Sequence, residues 1–454
     1  MRENSQWPPV PEPADRDVLG HGIQRTMRLL ATSTPTHQNT VRILFYGQSI
    51  TEQDWSRQVA DSLRKRFPNA DLQIENRAIG GFASQMLIRP AEHDVYPFYP
   101  DLVIFHVYGS DRDYEEIIRN IRSRTTADVL MQRDHVGAKL PDPKATQETD
   151  KGLWWDHHMN EERLPEIART YGCGLVDIRG AWLRYLNANH LEPRALLKDD
   201  VHLNAQGCFV MARIVEQYLV YRPELAKKET APTAPPVRDI AIGKDVKWQN
   251  GHLTLEFTGN RVDLLPAAGA KGGHVQIRID GKAPSEHGEC YAFTRPTPNP
   301  WVAPLALARV DHNSPLLAED WTLKVTAVEG ADPKTATWRY DVSGSQTGPD
   351  GSGVSDAVFV SKSGRVKIEP ASFFRGFSPP LSVGQTITWH SYLLGTDTYS
   401  LLPSAQSPSM DNAVILAQGL TNGPHHLELT LDDTKSAPPT LKALRVYQPS
   451  HYSK

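Results

Sequence analysis

The fold is decided by VRILFYGQSIT (residues 41–51), where an apolar run passes directly into Gly, Gln and Ser. The β-branched and aromatic side chains of residues 41–46 predict a buried strand, and the pattern over residues 54–67 predicts a helix. A strand that leads directly into a helix is typical of a parallel sheet with helices on both faces. The stretch therefore predicts an α/β domain with a serine at the end of its first strand.

The same alternation of strands and helices continues to about Tyr221. Further strands are predicted over residues 71–76, 101–108, 127–132 and 174–178, and further helices over residues 114–124, 160–171 and 205–221. This pattern of five strands with intervening helices predicts a flavodoxin-like, three-layer α/β/α domain with a parallel five-stranded sheet. In such domains the functional site lies beyond the carboxyl ends of the strands.

Changes in composition divide the 454 residues into four regions. They are an N-terminal arm (1–40), the α/β domain (41–222), a charged and proline-rich linker (223–240) and an all-β region (241–454). In the last region alternating runs such as WTLKVTAV (321–328) lie between turn residues, which predicts one or two β-sandwiches. The glycine-rich segment TGPDGSGVSD (347–356) is interpreted as a long loop.

The charge and the cysteines argue against several classes of function. A formal net charge of −4 disfavours nucleic acid and anionic membranes as partners. The three cysteines have no spacing that suggests a disulfide framework or a metal site, and no cofactor is expected. The N-terminal stretch lacks the apolar core of a signal peptide, so a cytoplasmic protein and an exported one whose leader is removed both stay open.

Ser49 and His202 are the first candidates for catalysis. Ser49 follows the first predicted strand and enters a helix, where backbone N–H groups and the helix dipole stabilise developing negative charge. Near the end of the domain, Asp199 precedes His202 at a spacing that allows the carboxylate to orient the imidazole, and Asp200 is an alternative orienting residue. Each segment alone could be a helix cap or a surface turn. Together they predict a nucleophile and its base at one edge of the sheet.

These segments and two others resemble the sequence blocks of the SGNH, or GDSL-like, hydrolases. The matching stretches are GQSIT (47–51), NRAIGGFAS (76–84), YGSD (108–111) and DDVHLN (199–204), in the order of the family's blocks. The resemblance covers roughly residues 41–221 and implies an SGNH hydrolase fold with ester-cleaving activity.

The resemblance also implies roles for individual residues. Ser49 would be the nucleophile, His202 the base that takes its proton, and Asp199 the group that orients His202. The backbone N–H groups of Ser49 and Gly81 would form the oxyanion hole, to which the third block contributes at position 111.

Two positions depart from the family pattern. Gln48 stands where the first block has Asp, and Asp111 stands where the third block has the Asn that donates to the oxyanion. An ionised carboxylate can only accept, and the loss of one oxyanion donor costs about a hundred- to a thousandfold in rate. Asp111 could be neutral and donate, Arg112 or another donor could replace it, or Asp111 or Asp113 could act on a glycosidic bond. The structural alternative is that Asp111 caps the next helix.

The leading hypothesis is a serine esterase that removes acyl groups, acetyl foremost, from a carbohydrate or an acylated small molecule. The carbohydrate part depends on the appended β-region and on the 10 Trp and 15 Tyr, whose rings can stack on sugars. The alternatives are a glycoside hydrolase that uses Asp111 or a neighbouring carboxylate, and a catalytically silent carbohydrate-binding protein. The candidates for substrate binding are Gln48, Arg112, Asp113, His135, Trp154 and Trp155.

Overall fold

The computed structural model of the chain divides into two compact units. It describes residues 6–229, 235–267, 273–299, 305–332, 334–375, 381–400, 410, 412–432 and 440–451. Unit 1 comprises Met1–Leu87, Pro100–Arg122 and Ala127–Ala234. Unit 2 comprises Ile88–Tyr99, Ser123–Thr126 and Pro235–Lys454, so two short segments from the first half of the chain belong to it.

Unit 1 is built on a five-stranded sheet in which every strand runs parallel to its neighbours. The strands are β1 Thr40–Gly47, β2 Asp71–Asn76, β3 Leu102–His106, β4 Asp128–Gln132 and β5 Gly174–Val176. Their order in the sheet is β2-β1-β3-β4-β5, which is the doubly wound, flavodoxin-like order. The predicted parallel α/β fold is therefore confirmed.

Helices cover the sheet because their apolar residues recur at helical spacing. In chain order the helices of the protein are α1 Gln24–Thr32, α2 Ser49–Glu52, α3 Asp54–Arg66, α4 Ser84–Leu87, α5 Ala91–Asp94, α6 Asp111–Arg124, α7 Lys151–His157, α8 Leu164–Tyr171, α9 Ile178–Ala188, α10 Ala205–Tyr218 and α11 Pro223–Glu229, of which α5 belongs to unit 2. On α3, Trp55, Val59 and Leu63 form one buried stripe in the same core cluster as Ile43 and Phe45 of β1. Within the described residues, no helix combines the length and hydropathy needed to cross a membrane.

The segment expected to be an N-terminal arm contributes to the core of unit 1. Ile23, Met27 and Leu30 are buried in the main cluster, and they lie on one face of α1. The Gln24 side chain donates to the carbonyl oxygens of Gly20 and Val220, at 2.6 and 3.1 Å. This short amphipathic helix is not predicted from the sequence, because the residues around it are mostly polar or proline.

Unit 2 consists mainly of antiparallel strands around two apolar cores. Its strands are β6 Val237–Ala241, β7 His252–Pro266, β8 His274–Ile279, β9 Tyr291–Phe293, β10 Thr297–Asn299, β11 Glu319–Glu329, β12 Thr337–Gly344, β13 Gly348–Val354, β14 Phe359–Val360, β15 Lys367–Ile368, β16 Thr386–Leu393, β17 Thr398–Ser400, β18 Val414–Leu431 and β19 Leu441–Tyr447. One sheet has the order β17-β8-β18-β7-β19-β6, a second has β10-β16-β11-β12-β13 with β9 also on β16, and β14 and β15 form a two-stranded sheet. The predicted all-β region is therefore confirmed as β-rich, and part of the expected linker forms α11 and β6.

Residues expected to form a long loop include a strand. β13 pairs with β12, and Phe359 and Tyr340 pack against it. A Cβ atom on Gly353 would lie 2.8 Å from atoms of both aromatic rings. The glycine at this position therefore allows close packing against aromatic side chains, although glycine usually indicates a turn.

Unit 2 also holds the segment that leads from α4 to β3. The Asp94 carboxylate accepts from the Arg295 guanidinium at 2.7 Å, and Tyr99 donates to Asn260 Oδ1 at 2.7 Å. The Val310 N–H donates to His93 Nε2 at 3.1 Å. Residues 88–99 are thus fixed to the β-rich unit by buried polar contacts.

Candidate active site

Ser49 stands on a sharp turn at the carboxyl end of β1. β1 ends at Gly47 and α2 begins at Ser49, with Gln48 in an extended conformation between them. The Gln48 carbonyl accepts from the N–H groups of Thr51 and Glu52, at 2.8 and 3.2 Å. A Cβ atom at position 47 would lie 2.1 Å from the His106 carbonyl oxygen, so the turn requires a glycine there. Gln48 itself is a buried residue of the turn.

His202 is presented by a tight loop between α9 and α10. The Lys198 N–H donates to the His202 carbonyl at 2.8 Å, which closes the loop. Inside the loop, Asp199 Oδ1 accepts from the N–H groups of Val201 and His202, at 2.9 and 2.7 Å. The short Asp-x-x-His turn is thus held by its own aspartate, as side-chain to backbone bonds of aspartate commonly hold turns.

The structure brings Ser49, His202 and Asp199 into one hydrogen-bonded chain. His202 Nε2 lies 2.9 Å from Ser49 Oγ, and His202 Nδ1 lies 2.9 Å from Asp199 Oδ2. A carboxylate only accepts, so Nδ1 carries the proton and Nε2 is free to accept from the serine hydroxyl. Asp200 is directed elsewhere, with Oδ1 2.5 Å from Arg194 Nη2. Asp199, and not Asp200, therefore contacts the imidazole.

Hydrogen bonds stabilise the ionised form of Asp199, whose side chain is 50% exposed. The N–H groups of His202 and then Val201 lower the pKa of its carboxyl to about 2, and the His202 ring contributes further. Donors to the charged form lower a carboxyl pKa because they stabilise the anion. At neutral pH the imidazole therefore faces a negative charge.

Two backbone N–H groups near the serine turn are available to bind an anion. In the described part of the chain, the N–H groups of Ser49 and Gly81 donate to no protein acceptor. The loop that carries Gly81 is fixed to the serine turn, because Ile79 N–H donates to the Gly47 carbonyl and Gly80 N–H donates to Glu52 Oε1, at 2.9 and 2.7 Å. Gly81 has a φ of +80°, which favours glycine.

Asp111 is engaged by an arginine. It is the first residue of α6, and its Oδ2 accepts from Arg163 Nε at 3.1 Å. Arg163 also contacts Glu115 at 2.8 Å. The cap of α6 is Ser110, whose Oγ accepts from the N–H of Asp113 at 3.3 Å. The structure therefore places Asp111 in an ion pair, and a neighbouring residue makes the capping contact expected of it.

The loop before α6 is supported by residues that the sequence analysis did not single out. The Ser84 N–H donates to the Tyr108 carbonyl at 2.9 Å, and Ser84 Oγ donates to the Ser110 carbonyl at 2.8 Å. Gln85 Oε1 accepts from the Ser110 N–H at 3.3 Å. Gly109, with a φ of +129°, leaves room for these contacts, because its Cβ would lie 2.6 Å from Ser84 Oγ. Ser84 ends the second matching block and Gln85 follows it, and the sequence gives no signal of this supporting role for either residue.

His135 is buried and contacts the loop that carries His202. Its ring is 2% exposed, and Nε2 lies 2.7 Å from the Val201 carbonyl, which can only accept. Tyr108 completes the contacts at 3.5 Å from Nδ1. Burial lowers the pKa of His135 to about 4, so the ring is neutral at pH 7. His135 was a candidate for substrate binding, but both of its ring nitrogens face protein groups.

Trp154 and Trp155 lie on α7, a helix without buried residues. Both rings are partly exposed, with centroids 6.0 Å apart, and Trp154 stacks on His158 at 5.4 Å. Asp150 caps α7 by accepting from the N–H groups of residues 152 and 153. His158 thus covers one face of Trp154, and both indole rings keep a part of their surface exposed.

A buried polar network fixes the base of α7. Asn160 Oδ1 accepts from the Asp134 N–H at 2.6 Å, and Asn160 Nδ2 donates to Asp134 Oδ2 at 3.0 Å. Asp156 forms an ion pair with Arg179. Asn160 belongs to a turn of π-helix at His158–Arg163, a rare element that is frequent at functional sites. Of the remaining candidates, Arg112 is exposed and Asp113 is partly exposed in the first turn of α6.

No group of three or more potential metal ligands occurs among the residues with described positions. The arrangement itself offers a hydroxyl, an imidazole, an ionised carboxylate and two backbone N–H groups.

Comparison with known proteins gives the family of this domain. Residues 45–208 match the model of the GDSL-like lipase/acylhydrolase family. The search of curated proteins finds no match. Among solved structures, the chain is similar to a two-domain esterase active on acetylated mannans, at 16% identity over 96% of this chain and 98% of that one, with a TM-score of 0.37.

Further similar structures cover about two fifths of the chain. One is a variant of Axe2, an acetylxylan esterase from Geobacillus stearothermophilus, at 17% identity over 41% of this chain and 97% of that one, with a TM-score of 0.35. The enzyme LAE5 from the metagenome of Lake Arreo matches at 19% identity over 41% and 98%, with a TM-score of 0.34. The assignment depends on the family model and on the parallel sheet described above. Residues 45–208 therefore belong to the GDSL-like lipase/acylhydrolase family, a family of carboxylic ester hydrolases.

Proposed function

We propose that the protein is a serine esterase that removes acyl groups, acetyl foremost, from a carbohydrate. Ser49 acts as the nucleophile, His202 as general base and acid, and Asp199 as the group that orients His202. The observation that carries the proposal is the pair of 2.9 Å hydrogen bonds that joins the three side chains in this order. A nucleophile, a base and an orienting group in hydrogen-bond contact are the arrangement that serine hydrolysis requires.

The reaction follows from the protonation states. His202 Nε2 takes the proton of Ser49 Oγ as the oxygen attacks the acyl carbon, and the imidazolium then faces the ionised Asp199. Nε2 returns the proton to the sugar oxygen as the ester bond breaks, which leaves an acyl-serine. Water then attacks the acyl-serine with the same base, and the acid is released.

The oxyanion of each tetrahedral intermediate would be bound by the N–H groups of Ser49 and Gly81. Both donors lack protein acceptors in the described structure, and both belong to segments fixed to the end of β1. Asp111 does not serve as a donor in this proposal, because its carboxylate accepts from Arg163.

The carbohydrate part of the proposal is supported by Trp154 and Trp155. Partly exposed indole rings on a helix with no buried residue are suited to stack on sugar faces. α7 follows the long connection after β4, and that connection meets the His202 loop where Ala138 N–H donates to the Asp200 carbonyl at 3.0 Å. The connection that leads to α7 is therefore hydrogen-bonded to the loop that carries His202.

No observation favours the two alternative functions. A glycoside hydrolase would need a free carboxylic acid at Asp111 or at a neighbouring carboxylate such as Asp113, and the Asp111 carboxylate is paired with Arg163. A catalytically silent binding protein would not need the aligned serine, imidazole and carboxylate.

The test is acetate release from acetylated oligosaccharides and from 4-nitrophenyl acetate. Ser49→Ala is expected to abolish both activities, whereas the matched control Ser62→Ala on α3 is expected to retain them. Release of acetate by Ser49→Ala at the normal rate would contradict the proposal, and so would cleavage of a glycosidic bond without loss of acetate.

A further inference from the structure

We propose that Gln53 is a positioning residue for the reaction, which sets the separation of Ser49 and His202. The inference rests on the proposed esterase function, because it concerns the geometry of that function's nucleophile and base. Gln53 does not touch either reacting atom, and its role is exerted through the backbone of Leu203.

The Gln53 amide is bonded at both ends to one residue. Its Nε2 donates to the Leu203 carbonyl at 2.9 Å, and its Oε1 accepts from the Leu203 N–H at 3.0 Å. The two residues are 150 positions apart in the chain, and Leu203 directly follows His202. A side-chain amide is suited to this contact because it carries a donor and an acceptor together.

The Gln53 end of the contact is rigid and close to the nucleophile. Gln53 ends α2, the single helical turn that begins at Ser49, and its N–H donates to the Ile50 carbonyl. Its own carbonyl accepts from the N–H and the hydroxyl of Ser56, at 3.2 and 2.9 Å, as α3 begins. The position of the amide is therefore fixed relative to the serine turn.

The other end is fixed as well. The Leu203 side chain is buried in the main core cluster, and the Asn204 N–H donates to the Leu196 carbonyl at 3.0 Å. His135 and Ala138 hold the same loop through Val201 and Asp200, but neither contacts the serine turn.

Two sets of hydrogen bonds therefore join the serine turn to the histidine loop. Between residues 49–53 and residues 197–204, the hydrogen bonds in the described structure are those of the Gln53 amide and the Ser49–His202 bond itself. Because the latter must break and re-form during the reaction, the Gln53 amide is the hydrogen-bonded link that persists, beside the apolar packing of Ile50 and Leu203 in the core. Loss of such a link displaces the imidazole, and a displacement of about 1 Å can cost on the order of a hundredfold in rate.

The experiment compares Gln53→Leu, Gln53→Glu and the control Gln58→Leu, with acetate release measured over a range of pH. Gln58 lies on α3, the helix that follows Gln53, and donates to Asp54, so its variant makes the same chemical change without touching the histidine loop. For Gln53→Leu we expect kcat to fall about ten- to a hundredfold with KM changed less than about twofold. Gln58→Leu should keep the normal kcat.

Gln53→Glu separates positioning from a purely structural role. The carboxylate keeps the contact with the Leu203 N–H but cannot donate to its carbonyl, and it adds a negative charge near His202. We therefore expect a lower kcat and an acid limb of the kcat–pH profile displaced to higher pH, because the new charge stabilises the imidazolium. If Gln53→Leu fails to fold, the kcat and the pH profile of the near-isosteric Gln53→Glu variant alone test the positioning role.

Ser49→Ala is measured beside these variants, so that failure of the esterase proposal is recognised separately. If Ser49→Ala is inactive and both Gln53 variants fold with the kcat and pH profile of Gln58→Leu, the positioning role is wrong and the esterase proposal stands. If Ser49→Ala retains activity, the esterase proposal itself fails.

Discussion

Replacement of Asp199 by asparagine tests the proposed catalytic chain most directly. Asp199 Oδ1 accepts from two backbone N–H groups and Oδ2 accepts from His202 Nδ1. In Asp199→Asn the amide oxygen must occupy the Oδ1 position to keep the two backbone bonds, so the NH₂ group faces Nδ1. Nδ1 must then accept, and the ring proton moves to Nε2, the atom that faces Ser49.

The expected loss follows from this tautomer change. An imidazole protonated at Nε2 cannot take the serine proton, and the negative charge that would stabilise the imidazolium is also gone. The same substitution in a serine-protease triad lowers kcat about 10⁴-fold, which is about 5.5 kcal/mol of activation free energy. We expect a fall on the order of 10³- to 10⁴-fold here, because the half-exposed site admits water that can partly replace the carboxylate.

The assay is the kcat for 4-nitrophenyl acetate, with thermal unfolding as the test of folding. Asp200→Asn is the matched control, because its carboxylate contacts Arg194 at the surface, and we expect its kcat within about threefold of the normal value. A folded Asp199→Asn protein that keeps a tenth or more of the activity would refute the reasoning.

Three further predictions concern residues around the site. Asp111→Asn is expected to leave kcat within about threefold, because Asp111 faces Arg163 and not the oxyanion; a large gain or a complete loss in acetate release would contradict this. Trp154→Ala is expected to raise KM for an acetylated oligosaccharide about tenfold and to leave 4-nitrophenyl acetate unaffected, and equal effects on both substrates would argue against sugar stacking. The lowered pKa of His135 means that the unfolded chain takes up this proton first, so stability is complete above pH 6.5 and falls as the pH falls towards 4. Urea unfolding should show a loss of about 3 kcal/mol between pH 7 and pH 4 that is absent in His135→Gln, and equal losses in both proteins would remove His135 as the cause.

The sequence was sufficient for the parts of the fold that local pattern encodes. Four of the five strands of unit 1 are short apolar runs, β2 being the exception, and the predicted bounds of each strand lie within a few residues of the observed ones. The contact between Ser49 and His202 could also be anticipated, since the carboxyl ends of parallel strands meet at one edge of the sheet. The amphipathic face of α1 was overlooked because Ile23 and Met27 lie within a segment rich in polar residues and proline.

The supporting contacts of the site could not be anticipated from one sequence. Gln53 and Leu203 are 150 positions apart, and a glutamine at the start of a helix gives no sign of its partner. The sequence also gives no sign that Asp111 pairs with Arg163, or that His135 is buried against the histidine loop. Such contacts depend on how elements pack in three dimensions, and the periodicity of a single segment carries no information about them.

The membership of residues 88–99 in unit 2 has a practical consequence for work with fragments. A chain shortened to residues 41–222 would lack Arg295 and Asn260, the partners of Asp94 and Tyr99. The apolar side chains of that segment, buried in the whole protein, would then meet water, and such surfaces promote aggregation. Expression of residues 41–222 alone should therefore give protein that is insoluble or aggregates. Enzyme assays are best made on the full-length chain.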